Sequence, residues 1–443
     1  MKIAWLTPLC RTSGISRYSL SVVRAFGALD EVEVDVWYPD TGDDFDCPWA
    51  LARALNRDGQ PDLASYDAVF YHLGNYYVNH TEIYECYLRH PGFVVLHDKV
   101  MQGFFFGYAN EIRNDPLYYV RLMRYIYGPE AQRFAVDGLL KGQSAAFWEQ
   151  AGARFPLFEP CLFNALGVVT HSTETRTLVD GRYPGLLPSL QLALPHFIYD
   201  MGYAGQLLLT RDDLHLPADK TLLVASGRFG AQKRLDVTMR VISADDELSE
   251  RTLLVIAGGG QADYLAYLRG LASELGMEQS VRFVVEPDDR TMHSLIAAAD
   301  VAINLRYPSI ESGSASLVEQ LHFGRATVVT NVGVYAEFSD GLLVKVDMAD
   351  EEGSLRAALR RLVLDDAERA RFAAAGMAYA AENFSPDRYA EQIVEFVEGT
   401  LAEREKLARV DAAAAELCVG ASEQWEQREQ RAAEVASALA ETL

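Results

Sequence analysis

The sequence predicts an α/β protein built from two doubly wound domains, followed by a helical C-terminal extension. Three observations predict it. Short apolar runs recur between helical stretches in two separate series. Most of these runs are apolar along their length instead of alternating, as strands covered on both faces by helices are. After Phe384 the pattern is strongly helical, and from Leu401 onward strand formers almost vanish. The 443 residues suffice for two ordinary domains, and a hydrophobic content of 49% is ample for real cores.

The first series reads "KIAWLTP", "VEVDVWYP", "DAVFYHLG", "GFVVLHD" and "ALGVVTHS"; the second reads "TLLVASG", "TLLVIAGGG", "VRFVVE", "DVAINLRY", "ATVVTN" and "GLLVKVD". Many of these runs end in Pro, Gly, His, Asp or Ser. In open parallel sheets ligands gather at the carboxyl ends of strands, so the chemistry is expected in those turns. The domain boundary is placed near "LALPHFIYDMGYAG", giving domains over 1–198 and 199–384 and a helical segment over 385–443. Between His97 and Ala165 lies a helical insertion, about 99–160, rich in aromatics and carrying Arg113, Arg121 and Arg124. It reads either as an acceptor or membrane-surface patch or as core of an elaborated first domain. From Leu401 onward, Leu407, Val410, Ala414, Leu417 and Ala421 step by three and four. That spacing fits a short seam for a homo-oligomer or a helix lying on its own chain.

The balance of 40 basic against 63 acidic side chains gives a net charge of -23, which argues against non-specific binding to nucleic acid or anionic lipid. Any basic pocket must be local. The cysteines, at Cys10, Cys47, Cys86, Cys161 and Cys418, show neither metal spacing nor a disulfide framework. The start "MKIAWLTPLC" shows no signal core, and no apolar run approaches a membrane span. A cytoplasmic protein is expected, with peripheral membrane contact as the furthest departure.

Four stretches carry candidate chemistry. "SGRFGAQKRLD" follows a strand and offers Arg228 and Lys233 with open backbone amides, a turn suited to a diphosphate or else simply solvated. In "ESGSASLVE", Glu311 and Glu319 flank Gly313, Ser314, Ala315 and Ser316; small residues let amides approach an anion, and carboxylates accept hydrogen bonds from sugar hydroxyls. A helix beginning near Ser316, with Ser316 and Glu319 as a capping box, is the plainer reading. "TPLCRTSGISRYS" puts Gly14 where a turn opens a helix. "VVLHDKV" ends a strand in His97 and Asp98, and the neighbouring "YHLGN" supplies Asn75 to the same wall. Serine-hydrolase elbows, His-Glu-x-x-His and Cys-x-x-Cys motifs are lacking.

Together these residues resemble the retaining nucleotide-sugar glycosyltransferases of family four. The resemblance is most specific at Glu311 and Glu319, followed by "LHFGRATVVTNVGVYAEF", and at "GRFGAQK". It implies the GT-B fold, two Rossmann-like domains facing across a cleft. It further implies that Arg228 and Lys233 hold the diphosphate of a UDP- or GDP-linked donor. Glu319 would take the ribose hydroxyls, and Glu311 those of the transferred sugar. Residues Gly313 to Ser316 would lend backbone amides, Gly14 would close on the diphosphate, and His97 would sit near the reacting carbon. Asn75 and Asp98 fall on the acceptor side. The implied reaction retains anomeric configuration, uses no cofactor or metal, and delivers the sugar to a glycan or lipid-linked acceptor in polysaccharide biosynthesis. Departures are Ser312, Gly313 and Ser314 where many relatives carry Gly-aromatic-Gly, and Ser13 where many carry a second glycine. A catalytically silent sugar-nucleotide-binding scaffold and a nucleotide-sugar epimerase remain alternatives.

Overall fold

The computed structural model describes all residues except 12, 43, 45, 56, 197–206, 261 and 420–443. Two parallel sheets form the frame. The first domain runs β1 (Lys2–Leu6), α1 (Gly14–Phe26), β2 (Glu33–Pro39), β3 (Leu51–Leu55), β4 (Ala68–Leu73), α2 (Tyr77–Arg89) and β5 (Gly92–Leu96). Four helices follow: α3 (Gln102–Gly107), α4 (Pro116–Tyr127), α5 (Pro129–Lys141) and α6 (Ala145–Arg154). The chain then closes the sheet with β6 (Ala165–Thr170), α7 (Thr173–Arg182) and β7 (Ser189–Gln191). The second domain comprises β8 (Thr221–Ser226), α8 (Leu235–Ser243), α9 (Asp246–Arg251), β9 (Thr252–Gly258), α10 (Ala262–Glu274), β10 (Val281–Val285), α11 (Asp289–Ala298) and β11 (Val301–Asn304). It ends with α12 (Ala315–His322), β12 (Ala326–Thr330), β13 (Val344–Val346), α13 (Glu351–Leu364) and α14 (Asp366–Asn383), after which α15 (Pro386–Val419) leaves it.

The strand orders are β3-β2-β1-β4-β5-β6-β7 and β10-β9-β8-β11-β12-β13. In each sheet the winding reverses between its first and fourth strands, β1/β4 and β8/β11. That crevice at the carboxyl ends is where a doubly wound sheet exposes loops to a ligand. β4 and β5 are buried throughout, as their continuous apolar runs require.

The aromatic insertion is largely core. Phe104, Phe105, Tyr108, Tyr119 and Met123 pack with Tyr71, Tyr84 and Tyr87 in one buried cluster. Arg113 lies 4.5 Å from the Tyr118 ring centroid, while Arg121 pairs with Asp115 and Arg124 donates to Gln132. On the opposite face of the same sheet, α1 and the first turns of α15 cover Trp5, Phe70 and Phe93. Tyr389, Ala390, Ile393 and Val397 are buried there. The helix that follows the second domain thus completes the core of the first, and the two crossings meet where the His196 N–H donates to the Phe384 carbonyl at 2.9 Å. Of the proposed seam, Leu407 is exposed; the side chains of Val410, Ala414 and Leu417 and all of Ala421 lie outside the described residues. Among the described residues no helix is long and apolar enough to cross a membrane.

Candidate active site

The two switch points face each other across a cavity of about 410 Å³ lined by residues of both domains. From the first domain come Gly14, Asn75, His97 and Asp98; from the second come Arg228, Glu311, Gly313 and Ala315. Lys233, Ser314, Ser316 and Glu319, also expected at the site, are not among the residues that line it.

At the end of β8, Gly227 has φ +105°, a conformation open to glycine at little cost, and a Cβ there would lie 3.0 Å from Lys233 Nζ. Lys233 is buried under this turn and donates to the Ser226 carbonyl at 2.7 Å. Burial, with Arg306 adding, pushes its pKa well below the usual lysine value, against the pull of Glu311 and Glu319. Arg228, exposed, is the turn's cation at the cavity. Arg234, which opens α8, is bound to Glu351 instead.

Glu311 follows β11 and Arg306. Its Oε1 accepts the Tyr335 hydroxyl at 2.8 Å and lies 3.4 Å from Arg306 Nε. Burial alone would raise its pKa; Arg306, backbone N–H groups and Tyr335 outweigh it and hold the carboxyl below its ordinary value. The helix after it begins at Ala315. Ser314 is the N-cap, its Oγ accepting the Leu317 N–H, so the expected start near Ser316 moves by one residue. Ser316 Oγ lies 3.5 Å from Ser314 Oγ, and Glu319 faces His293, with Oε1 3.1 Å from Nε2. Gly313 sits where the domains touch, since a Cβ there would come within 2.6 Å of Leu194 Cδ1 and 2.9 Å of His171 Cβ.

A backbone bridge crosses the cavity beside Glu311. Asp98 and Glu311 pair antiparallel, the Ser312 N–H donates to the His97 carbonyl at 2.9 Å, and the Lys99 N–H donates to the Ile310 carbonyl at 3.1 Å. Asp98 Oδ2 accepts the Asn75 N–H at 2.7 Å. Burial, reinforced by Glu311, lifts the Asp98 pKa to about 6, against Asn75 and Arg306.

His97 belongs to a group that sequence reasoning did not assemble. His97 Nε2 lies 2.9 Å from His72 Nδ1, so only Nδ1 remains for a ligand. His80 Nδ1 donates to the His72 carbonyl and His171 Nδ1 to the Leu192 carbonyl. Burial, reinforced by neighbouring histidines, drives His72 and His97 well below the usual value, and burial brings His80 and His171 to about 4. All four are neutral near pH 7, polar without charge. His171 Nε2 is buried without a protein partner. Tyr18 stacks edge-on to His97 and its hydroxyl meets that of Tyr389 at 2.7 Å. On the first side Ser13 is the N-cap of α1, and Gly14 lies 3.9 Å (Cβ position) from Ala315 Cβ.

Residues 209–379 match the model of the family described as glycosyl transferases group 1. The resemblance read from the motifs is borne out there as similarity to glycosyltransferases. A D-inositol 3-phosphate glycosyltransferase of Stackebrandtia nassauensis is 30% identical over 226 residues, 48% of this chain and 49% of that protein. D-inositol 3-phosphate glycosyltransferase 2 of Catenulispora acidiphila is 31% identical over 130 residues, 28% of this chain and 30% of its own. The chain spans about half the length, or less, of these curated relatives. Among solved structures, Anabaena HepE in complex with UDP superposes with a TM-score of 0.58 at 15% identity, covering 90% of this chain and 100% of that one. Sucrose-phosphate synthase of Thermosynechococcus elongatus gives 0.62 at 14%, covering 91% and 100%. WaaG, a glycosyltransferase involved in lipopolysaccharide biosynthesis, gives 0.57 at 17%, covering 89% and 99%. The fold is GT-B.

Proposed function

We propose that the chain is a retaining glycosyltransferase that moves a sugar from a nucleotide diphosphate to an acceptor hydroxyl without a metal ion. The observation that carries this reading is the meeting, in one interdomain cavity, of the cationic Arg228 turn with the ionised Glu311 and the neutral His97. The donor diphosphate would lie against Arg228 and the N-terminus of α1, with Lys233 below. As the bond from the anomeric carbon to the diphosphate breaks, negative charge grows on the leaving oxygen, where cations and oriented N–H groups stabilise it most. Glu311 would accept hydrogen bonds from the sugar's hydroxyls, and His97 Nδ1 would supply a further polar contact. The acceptor oxygen bonds to the anomeric carbon on the face the diphosphate leaves, and its proton passes to the departing phosphate oxygen. Buried neutral histidines line this path without adding competing charge. The UDP complexes of the Anabaena neighbour support a nucleotide-diphosphate donor.

Mass-spectrometric detection of UDP or GDP released from a panel of sugar nucleotides tests the reading. One donor should release nucleotide slowly without acceptor, and Glu311→Gln should cut turnover far more than nucleotide affinity. Nucleotide binding with no release from any donor, with or without added sugars, would refute it.

A further inference from the structure

The acceptor side of the cavity differs in charge from what the names of the curated relatives suggest. We infer that the acceptor is an uncharged sugar or polyol where it enters the cavity, not a phosphorylated one; calling this ligand the acceptor rests on the proposed function. Along the first-domain wall, among the described residues, Asp98 is the charged lining side chain. The neighbouring cations are engaged: Lys99 with Glu174, Arg306 with Glu311 at 3.4 Å and, on α1, Arg17 with Asp289 at 2.6 Å.

The polar atoms on that wall are arranged for hydroxyl groups. His80 donates from Nδ1 to the His72 carbonyl, which leaves Nε2 as a lone-pair acceptor. A Cβ placed on Gly74 would fall 2.8 Å from that Nε2 and 3.2 Å from Asp98 Oδ2, so these two acceptors, on residues that both line the cavity, lie close together. Asn75 and Asn79 add neutral amides. Two acceptors side by side suit the hydroxyl donors of a polyol. A phosphate presents acceptors to them and brings like charge toward Asp98 and Glu311, in a site where charge is poorly screened. The N-terminus of α2, whose cap residue Tyr76 lines the cavity without a side-chain cap, acts the other way, but with only about half a positive charge against the full charge of Asp98.

The experiment is a binding comparison on the full chain saturated with UDP, at pH 7.5, by competition NMR. The probes are glucose against glucose 6-phosphate, and myo-inositol against myo-inositol 3-phosphate. At least one neutral member should bind tenfold or more tightly than its phosphorylated partner. In Asp98→Asn the discrimination should shrink several-fold, and in His80→Gln the neutral member should weaken. Phosphorylated members binding as tightly as neutral ones, or neither neutral member binding, would overturn the inference. The outcome is separable from the transferase reading: neutral preference without nucleotide release from any donor would sink the latter and leave the wall's chemistry standing.

Discussion

Replacing Asp98 by Asn should make the protein more stable at neutral pH. The carboxyl is lifted from 3.8 to about 6 by burial and by Glu311. A raised folded pKa means that the proton is held more tightly in the fold than in the unfolded chain. The associated stability is complete in acid, falls away as pH rises from about 4 to 6, and is absent above that. Above pH 6 the fold therefore bears the cost of an ionised carboxylate in a poor environment. The difference of about two pH units, at about 1.36 kcal/mol each, sets that cost at no more than about 3 kcal/mol at pH 7.5 and about half of that at pH 5. Asn has no charge to bury, and its carbonyl oxygen can still accept the Asn75 N–H. Urea unfolding of both proteins at the two pH values reads the effect. The variant should gain most at pH 7.5 and clearly less at pH 5. An equal gain at both, or a loss at pH 7.5, would refute the linkage. A carboxylate kept at such a cost beside a cavity is what a functional site looks like.

Lys233→Ala removes the side chain that holds the Ser226 carbonyl under the Gly227 turn and should weaken UDP binding by roughly 2- to 12-fold, the worth of a hydrogen bond of about 0.5 to 1.5 kcal/mol, measured by titration calorimetry with circular dichroism unchanged. Gly227→Ala forces a Cβ into a φ of +105° and against Lys233 Nζ, so it should cost about 1–3 kcal/mol of stability and lower UDP affinity together; loss of neither would free that turn of its role. Tyr389→Phe strands the buried Tyr18 hydroxyl and should destabilise by about 1–3 kcal/mol in thermal unfolding.

The central strands were legible in the sequence because burial on both faces leaves them nearly continuous apolar runs. The edge strands β3, "LARAL", and β7, "SLQ", were not, since each is short and carries few apolar residues, whereas the edges of the second sheet, β10 and β13, sit in the longer apolar runs "VRFVVE" and "GLLVKVD". Arg228, His97, Asp98 and Glu311 could be read because each closes or follows a strand, and topology brings strand ends together. Tyr335, His80 and His171 could not, because no local period marks them and the contacts that place them reach as far as Ser312 from His171, 141 residues away; Arg306, at the end of "DVAINLRY" just before Glu311, was a local signal that went unread. The histidines ending "YHL" and "VVTH" were the available signal. The start of α12 was misplaced because three serines and an alanine offer several caps, and only the contact of Ser314 Oγ with the Leu317 N–H selects one.

The return of α15 has a consequence for synthesis. Tyr18 finds its hydroxyl partner 371 residues later, after every strand of the second sheet has been made. As the chain leaves the ribosome, one face of the first sheet is covered by α1 alone until residues near Val397 emerge, so the domain begun first is finished last. Phe93, whose ring meets Phe396 of α15, is then part of the surface that nascent-chain partners would meet for longest.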